Sequence, residues 1–170
     1  MVLTFQKFHM KFTKTELESL FYYIDGQIYW KKGSPNGMKP GTKAGVYHSS
    51  GYRVVRIQGK RYKVHRIIFT LHHGYTPNFV DHIDGDPLNN KIENLRECNH
   101  NQNMHNRKIS SNNKSGIKGI IWDKSSKKWW PQLMVNSKRL KLGKYNDLEL
   151  AELVIVEARD LYHGKFANHG

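Results

Sequence analysis

The chain has 170 residues, which is room for one ordinary domain or two small ones. Its 28 Lys and Arg outnumber its 14 Asp and Glu, so the formal net charge is +14 at pH 7 with ten His neutral. A hydrophobic content of 38% is low for a single large core, but 12% aromatic residues are too many for a disordered chain. The composition therefore excludes a disordered protein and predicts a basic globular one.

Three further features narrow the class of protein. No uninterrupted apolar stretch approaches the roughly 20 residues of a membrane-spanning helix. The first seven residues lack the basic and then apolar order of a secretory signal. The single cysteine, Cys98, excludes an internal disulfide and any zinc site built on paired cysteines. We therefore expect an intracellular protein without a membrane segment, whose partner is a polyanion.

The positive charge is divided between two regions. Residues 1–78 and 111–145 are strongly basic, whereas residues 79–110 are close to neutral and rich in Asp, Asn and His. A carboxylate-bearing centre between basic regions is what a site acting on a phosphate backbone through a metal needs. The alternative interpretation is that the excess of Lys and Arg only provides a well-solvated surface.

The first part of the chain predicts short helices alternating with hairpins. In chain order they are a helix over 14–21, a hairpin over 22–30, a loop over 33–51, a second hairpin over 52–64 and a helix over 65–73. Thr13 is the candidate N-cap of the first helix, and Gly74 ends the second. Asp25-Gly26 and Gln58-Gly59 are the expected hairpin turns.

After a polar stretch at 109–114, the chain predicts three strands and a helix. The strands span 119–122, 128–135 and 139–145, and the helix over 147–163 has Asp147 as its cap. Strand alternation predicts two different sheet faces. One face carries Trp130, Gln132, Met134, Arg139 and Lys141. The other points toward the helix and carries Trp129, Leu133, Val135, Leu140 and Leu142.

The central segment combines an Asp-His pair with a run of amides. Asp81 and His82 precede a tight loop, and Asn99, Asn103 and Asn106 share one helical face by their spacing. Histidine is the natural base at neutral pH, and carboxylate and amide oxygens are ligands that Mg²⁺ prefers. Neighbouring strand residues point to opposite faces, so the pair shares a site only if the strand twists or ends there. Taken singly, each pattern is also ordinary turn, cap or surface chemistry.

In order and spacing, the segment resembles the HNH nuclease motif of phage and intron-encoded homing endonucleases. The matching pattern is Asp81-His82-x-Asp84-Gly85-x4-Asn90-x3-Asn94-Leu95-Arg96, ending in Asn103-x2-Asn106. The resemblance implies two antiparallel strands and a helix around one divalent metal (ββα-metal). It also implies that His82 is the general base, that Asp81 and Asn103 are metal ligands, and that Asn94 braces the loop by hydrogen bonds.

The resemblance also bears on the choice of metal. Asn103 stands where many relatives have a histidine, and an amide oxygen favours Mg²⁺ or Mn²⁺ over a softer metal. The cysteine pairs of zinc-stapled relatives are missing, so no zinc is expected. Cys98 is then expected to be a small buried hydrophobe.

Residues 115–168 resemble the AP2 DNA-binding domain, also called the ERF module. The matching segments are 115–120, 128–129, 142–145, 164–167 and the helix with Ala151 and Ala158. The chain departs from the family at its first strand, which has Ile120-Ile121-Trp122 in place of an arginine-rich sequence. The resemblance implies a three-stranded sheet that contacts DNA through Lys128, Trp130, Gln132, Arg139 and Lys141.

These observations predict an α+β fold with an HNH nuclease domain at 1–108, a linker at 109–114 and an AP2-like domain at 115–170. The expected function is site-specific cleavage of double-stranded DNA with one Mg²⁺ or Mn²⁺ and no small-molecule cofactor. Contacts to the DNA backbone are expected from basic residues of the nuclease part, namely Lys60, Arg61, Lys63, His65, Arg66, Arg107 and Lys108.

Several alternatives stay open at this point. A non-catalytic, sequence-specific DNA-binding regulator would use the nuclease fold only as a scaffold, and an RNA-binding factor would also explain the basic aromatic hairpins. The protein is expected in the cytoplasm of a bacterial host, encoded by a phage. The sequence does not decide between a monomer and a homodimer.

Overall fold

The computed structural model describes residues 10–34, 37–105, 109 and 111–170, without the side chains of residues 104 and 105. The chain divides into two compact units, Met1–Asn99 and His100–Gly170. Both units combine short helices with small antiparallel sheets, so the fold class is α+β. The assignment of domains to 1–108 and 115–170 stays a prediction. None of the described helices is both long and apolar enough to cross a lipid bilayer.

Two helices organise the first unit, α1 at Lys14–Leu20 and α2 at Val64–His73. Thr13 caps α1 by accepting from the Glu16 amide, and the Glu16 carboxylate accepts from the Thr13 amide. Gly74 ends α2 at a φ of 82°, where its N–H donates to the Thr70 carbonyl. Both predicted helices are confirmed, with boundaries shifted by one residue.

The strands of the first unit form three small antiparallel sheets. The first sheet contains β1 at Phe21–Ile24, β2 at Gln27–Trp30 and β3 at Lys43–Ala44. The second sheet contains β4 at Val46–Tyr47, β5 at Arg53–Ile57 and β6 at Lys60–Lys63. The third sheet pairs β7 at Phe79–His82 with β8 at Leu95–Cys98. Both predicted hairpins are confirmed. The prediction of a loop over 33–51 is wrong in part, since this segment contains two short strands. Strand β3 pairs with β2 and β4 pairs with β5, so each hairpin gains a third strand of two residues.

Helix α2 lies at the centre of the first core. Its buried face carries Val64, Ile67, Ile68 and Leu71. The residues packed around it come from α1, β1, β2, β3, β5, β7 and β8. The most deeply buried members from these other elements are Leu17, Phe21, Ile28 and Ala44. This packing fixes β7 and β8 against α2, because Val80 and Leu95 belong to the same core.

The second unit contains a short helix and an antiparallel sheet covered by a long helix. Its elements are α3 at His100–His105, β9 at Ile120–Asp123, β10 at Lys128–Val135, β11 at Lys138–Lys141 and α4 at Leu148–His163. The strand order is β11-β10-β9, and the Asp147 carboxylate caps α4. Beyond β11, Tyr145 still pairs with Trp129 through two backbone hydrogen bonds of 2.7 and 2.8 Å.

The core of the second unit confirms the predicted alternation. Ile120 and Leu133 of the sheet are buried against Ala151 and Ile155 of α4. The predicted helix-facing residues Trp129, Val135, Leu140 and Leu142 pack partly buried on the same core. The opposite sheet face is left to polar and exposed side chains.

Candidate active site

The predicted Asp-His pair lies at the end of β7. Asp81 and His82 are both buried, with 6% and 5% of their surface exposed. The strand ends at His82, where a turn closed by the Gly85 N–H donating to the His82 carbonyl begins. The expectation that the strand ends at this pair is therefore confirmed. The two side chains nevertheless have different partners, because neighbouring residues of a strand point to opposite faces of the sheet.

The Asp81 carboxylate is held by an arginine of the neighbouring strand. Asp81 on β7 lies opposite Arg96 on β8, and Arg96 donates to Asp81 Oδ2 from Nε at 3.2 Å and from Nη2 at 3.0 Å. Burial raises the pKa of the nearby Cys98 thiol to about 12, and the Asp81 charge adds to that effect. Cys98 is thus a buried thiol, as expected. The sequence assigned no role to Arg96, although antiparallel pairing around the loop could have indicated its register.

The His82 ring is enclosed by three side chains. Its Nε2 lies 3.0 Å from Oδ1 of the buried Asn90. The His65 ring meets it edge-on with 4.8 Å between centroids, and the Tyr52 ring lies 6.2 Å away. The hydrogen bond with Asn90 and the two aromatic neighbours therefore help to hold the imidazole in a fixed orientation.

His65 does not occupy the surface position that a DNA contact requires. Its ring is only 3% exposed and faces His82 from α2. Burial lowers the pKa of His65 well below its ordinary value, and the charges of His82, Lys63 and Arg66 lower it further. The interpretation of His65 as a DNA-backbone contact is therefore corrected, since the neutral ring packs behind His82.

The loop between β7 and β8 is closed by Asn94. The Asp84 amide donates to Asn94 Oδ1 at 3.1 Å, while Asn94 Nδ2 donates to Asp84 Oδ1 at 2.9 Å and to the Asn89 carbonyl at 2.8 Å. Burial alone raises the pKa of Asp84, but hydrogen bonds from Asn94, the Asp86 amide and Asn89 outweigh it and leave that pKa lowered. Asp84 is therefore an ionised acceptor that helps to fix the loop.

The N-terminal hairpin supports the same loop from outside. A Cβ on Gly26 would lie 3.0 Å from the Lys91 amide nitrogen, and the φ of 77° is one that side chains disfavour, so any other residue here would be strained and would push the Lys91 backbone back. Lys91 pairs with Asp25 at 2.9 Å, and the Ile92 amide donates to the Tyr23 hydroxyl at 3.2 Å. The N-terminal hairpin, β1 with β2, therefore supports the loop that follows His82.

The basic residues expected to hold the DNA backbone differ in their surroundings. The Lys63 ammonium lies 3.6 Å from the centroid of the Tyr52 ring. Arg66 instead donates to the carbonyls of Pro77 and Asn78, at 2.8 and 3.0 Å. Lys60 and Arg61 are exposed on β6. The other two predicted backbone contacts, Arg107 and Lys108, lie outside the described residues. The same is true of Asn106.

The predicted metal ligands belong to different units. Asp81 lies in the first unit, and Asn103 lies half-buried on α3 in the second. Among the residues that the structure describes, no three His, Cys, Asp or Glu side chains gather where they could hold a metal ion. A donor set of one carboxylate and one amide oxygen still fits Mg²⁺, which keeps several waters and takes substrate phosphate as ligands.

A second candidate surface lies on the sheet of the other unit. We call it the basic sheet face, formed by Ile121, Trp130, Gln132, Met134, Arg139 and Lys141. The ammonium groups of Lys141 and Lys144 lie 5.2 and 4.7 Å from the centroid of the Trp130 ring. Lys144 also pairs with Asp123, which lowers the pKa of that carboxyl. Predicted Lys128 is half-buried and lies opposite Asp123 in the register.

Comparison with known proteins bears on the part of the chain that holds the first of these sites. Residues 62–105 match the HNH endonuclease family, and this span contains Asp81, His82, Asn94 and Asn103. The chain belongs to the HNH endonuclease family. No solved structure matches it.

Two viral relatives are similar to this chain. Protein 3.8 of Escherichia phage T7 is 35% identical over 89 residues, which are 52% of this chain and 73% of the T7 protein. An uncharacterized HNH endonuclease of Acanthamoeba polyphaga mimivirus, L560, is 45% identical over 74 residues, or 42% of this chain. The matched region spans only 38% of the mimivirus protein.

Proposed function

We propose that the protein is a site-specific DNA endonuclease of the homing type that depends on one Mg²⁺ or Mn²⁺. The observation that carries this proposal is the buried Asp81-His82 pair at the end of β7, inside the span that matches the HNH endonuclease family. A solvated surface pair would have no reason to be enclosed by Arg96, Asn90 and His65. We also propose that the protein acts inside a phage-infected bacterial cell.

In the proposed reaction, His82 accepts a proton from water. The water oxygen bonds to phosphorus while the bond from phosphorus to the 3′ oxygen breaks, leaving a 5′ phosphate and a 3′ hydroxyl after protonation. Asp81 and Asn103 would hold the divalent ion, which supplies positive charge for the phosphorane and the departing oxygen. Arg96 orients the Asp81 carboxylate, and Asn94 keeps the loop closed behind His82.

We propose that the first unit carries a ββα-metal nuclease fold and that the second unit is an AP2-like domain. In this proposal the AP2-like domain selects the DNA site. A half-buried Trp130 flanked by two ammonium groups suits contact with bases and phosphates, and Gln132 beside Lys141 offers amide readout in a major groove. Contacts from Lys60, Arg61 and Lys63 would add backbone affinity. A basic sheet face of this kind supports duplex DNA as the substrate.

Cleavage of supercoiled plasmid tests the catalytic part of the proposal. The wild-type protein is expected to nick or linearise plasmid with Mg²⁺ and to be inactive with a chelator, and Asp81→Asn is expected to lose activity. Glu18→Gln, which changes an exposed carboxylate on α1, serves as the matched control. DNA binding without cleavage in any of Mg²⁺, Mn²⁺ or Ca²⁺ would contradict the proposal and favour a non-catalytic regulator.

The salt dependence of DNA binding tests the sheet face. Lys141→Ala is expected to reduce the slope of log affinity against log salt by about 1, because one phosphate contact is lost. Lys124→Ala, an exposed lysine in the turn between β9 and β10, is the matched control and should leave the slope unchanged. Equal slopes for both variants would remove the sheet face from DNA binding, and tighter binding to RNA than to duplex DNA would contradict the substrate.

A further inference from the structure

Asn90 is a buried polar side chain to which neither the motif nor the proposed reaction gives a role. It is 2% exposed and lies in the loop between β7 and β8, eight residues after His82. Its Oδ1 lies 3.0 Å from Nε2 of His82. This hydrogen bond joins two buried side chains, His82 and Asn90.

The geometry bears directly on which ring nitrogen carries the proton. Neutral imidazole has one N–H donor and one acceptor nitrogen, and a carbonyl oxygen accepts only from the donor. With Oδ1 facing Nε2, the Nε2–H donates to Asn90 and the lone pair stays on Nδ1. A general base needs this lone pair directed at the water, so the position of the proton decides whether His82 can act.

Burying the Asn90 side chain also lowers the stability of the folded protein. Its Nδ2 group is buried and has no hydrogen-bond partner among the described residues. An unsatisfied buried donor typically costs about 1–3 kcal/mol, so an apolar side chain would be favoured if Asn90 only filled space. The N-terminal hairpin also holds the Asn90–Lys91 backbone in place through the close approach of Gly26. The unpaired Nδ2 group indicates that the oxygen of Asn90 is the part that matters, and the held backbone keeps that side chain in place.

We infer that Asn90 is a positioning residue that fixes His82 in the Nε2–H tautomer and leaves Nδ1 as the proton acceptor. The inference rests on the proposed role of His82 as general base. It extends that role by naming the reacting nitrogen and the residue that selects it. Asn90 itself touches neither the substrate nor the reacting atoms.

Nitrogen-15 NMR of the metal-free, full-length protein tests the inference without any cleavage assay. At a pH of about 8.5, two units above the ordinary His pKa, the neutral ring shows which nitrogen is protonated. The His82 signals are assigned by their loss in His82→Ala. The expected result is a protonated Nε2 with slow proton exchange and an unprotonated Nδ1. A proton on Nδ1 in the wild-type protein would overturn the inference.

Two variants separate positioning from folding. Asn90→Leu removes the acceptor, so the Nε2 proton should exchange at least about fivefold faster, as expected for the loss of a bond worth about 1 kcal/mol. Asn90→Asp keeps an oxygen in place and should retain the protonated Nε2. Thr70→Val is the control, since Thr70 is a buried polar residue of the same unit that hydrogen-bonds to Arg66 and Thr76 instead. Unchanged His82 signals in Asn90→Leu would also overturn the inference.

Cleavage kinetics then distinguish this inference from the proposed function. Asn90→Leu should lower kcat on the order of 100-fold with little change in KM, because a misaligned base loses its contribution. Asn90→Asp should recover much of that activity. A wild-type protein with the expected tautomer but no metal-dependent cleavage would refute the proposed function and leave the tautomer assignment standing.

Discussion

Replacing Arg96 by leucine tests how strongly the Asp81 carboxylate depends on its ion pair. Opposite charges 3.0 Å apart attract by about 5 kcal/mol at an effective dielectric constant of 20, and desolvation offsets part of that gain. Removing one partner of a buried pair typically costs about 3–5 kcal/mol. Because the Arg96 side chain is still 16% exposed, we expect a loss of about 3 kcal/mol in the free energy of unfolding.

The assay is hydrogen exchange across a urea series, read by mass spectrometry on peptides of the first unit. A loss of about 3 kcal/mol corresponds to a midpoint lower by roughly 1.5 M urea at a typical dependence of 2 kcal/mol per molar. Arg56→Leu, an exposed arginine on β5, is the matched control and should change stability by less than about 0.5 kcal/mol. Equal urea midpoints for Arg96→Leu and Arg56→Leu would show that the ion pair between Arg96 and Asp81 does not stabilise the first unit.

Three further predictions concern stability. Burial lowers the pKa of His65 in the folded protein, so as the pH falls below about 6.5 the unfolded state binds a proton that the folded state does not. The free energy of unfolding should therefore fall by up to about 1.4 kcal/mol for each unit by which the pH is lowered in this range. His65→Phe should flatten this dependence in urea titrations, and an unchanged slope would contradict it. Ile155→Ala should cost about 2–5 kcal/mol in thermal or urea unfolding, whereas Leu161→Ala on the exposed side of α4 should cost less than about 0.5. Gly26→Ala should destabilise the first unit more than Gly59→Ala, because both glycines have positive φ but only a Cβ at Gly26 would meet the backbone of Asn90 and Lys91. Equal urea midpoints for the two variants would show that this close contact does not contribute to stability.

Much of the fold was predictable because local signals determined it. Thr13 followed by Glu16 marks a capping box, Asp25-Gly26 marks a hairpin turn, and Gly74 marks a helix end. In the second unit, strict alternation over β10 separated helix-facing Leu133 from the opposite face. Two-residue strands such as β3 and β4 carry no periodicity of their own, which is why the loop prediction failed over 33–51.

The site was predictable in part. Asp81 and His82 were recognisable from their order and spacing, and the loop after them indicated that the strand ends at this pair. Their burial was not predicted, because it depends on packing against the rest of the unit. The partners of the pair depend on tertiary contacts, so no local pattern distinguishes Asn90 from an ordinary turn amide. The burial of His65 was missed for the same reason, since a basic neighbourhood in sequence gives no information on which side of α2 a ring occupies.

The role of His82 as general base is tested by measuring single-turnover cleavage and DNA affinity together for His82→Ala. Ile83→Ala, at the exposed neighbouring residue, is the control and should cleave at the wild-type rate. We expect His82→Ala to bind DNA with unchanged affinity and to cleave at least on the order of 100-fold more slowly, because the base is lost. Cleavage by His82→Ala at the wild-type rate would show that His82 is not the general base.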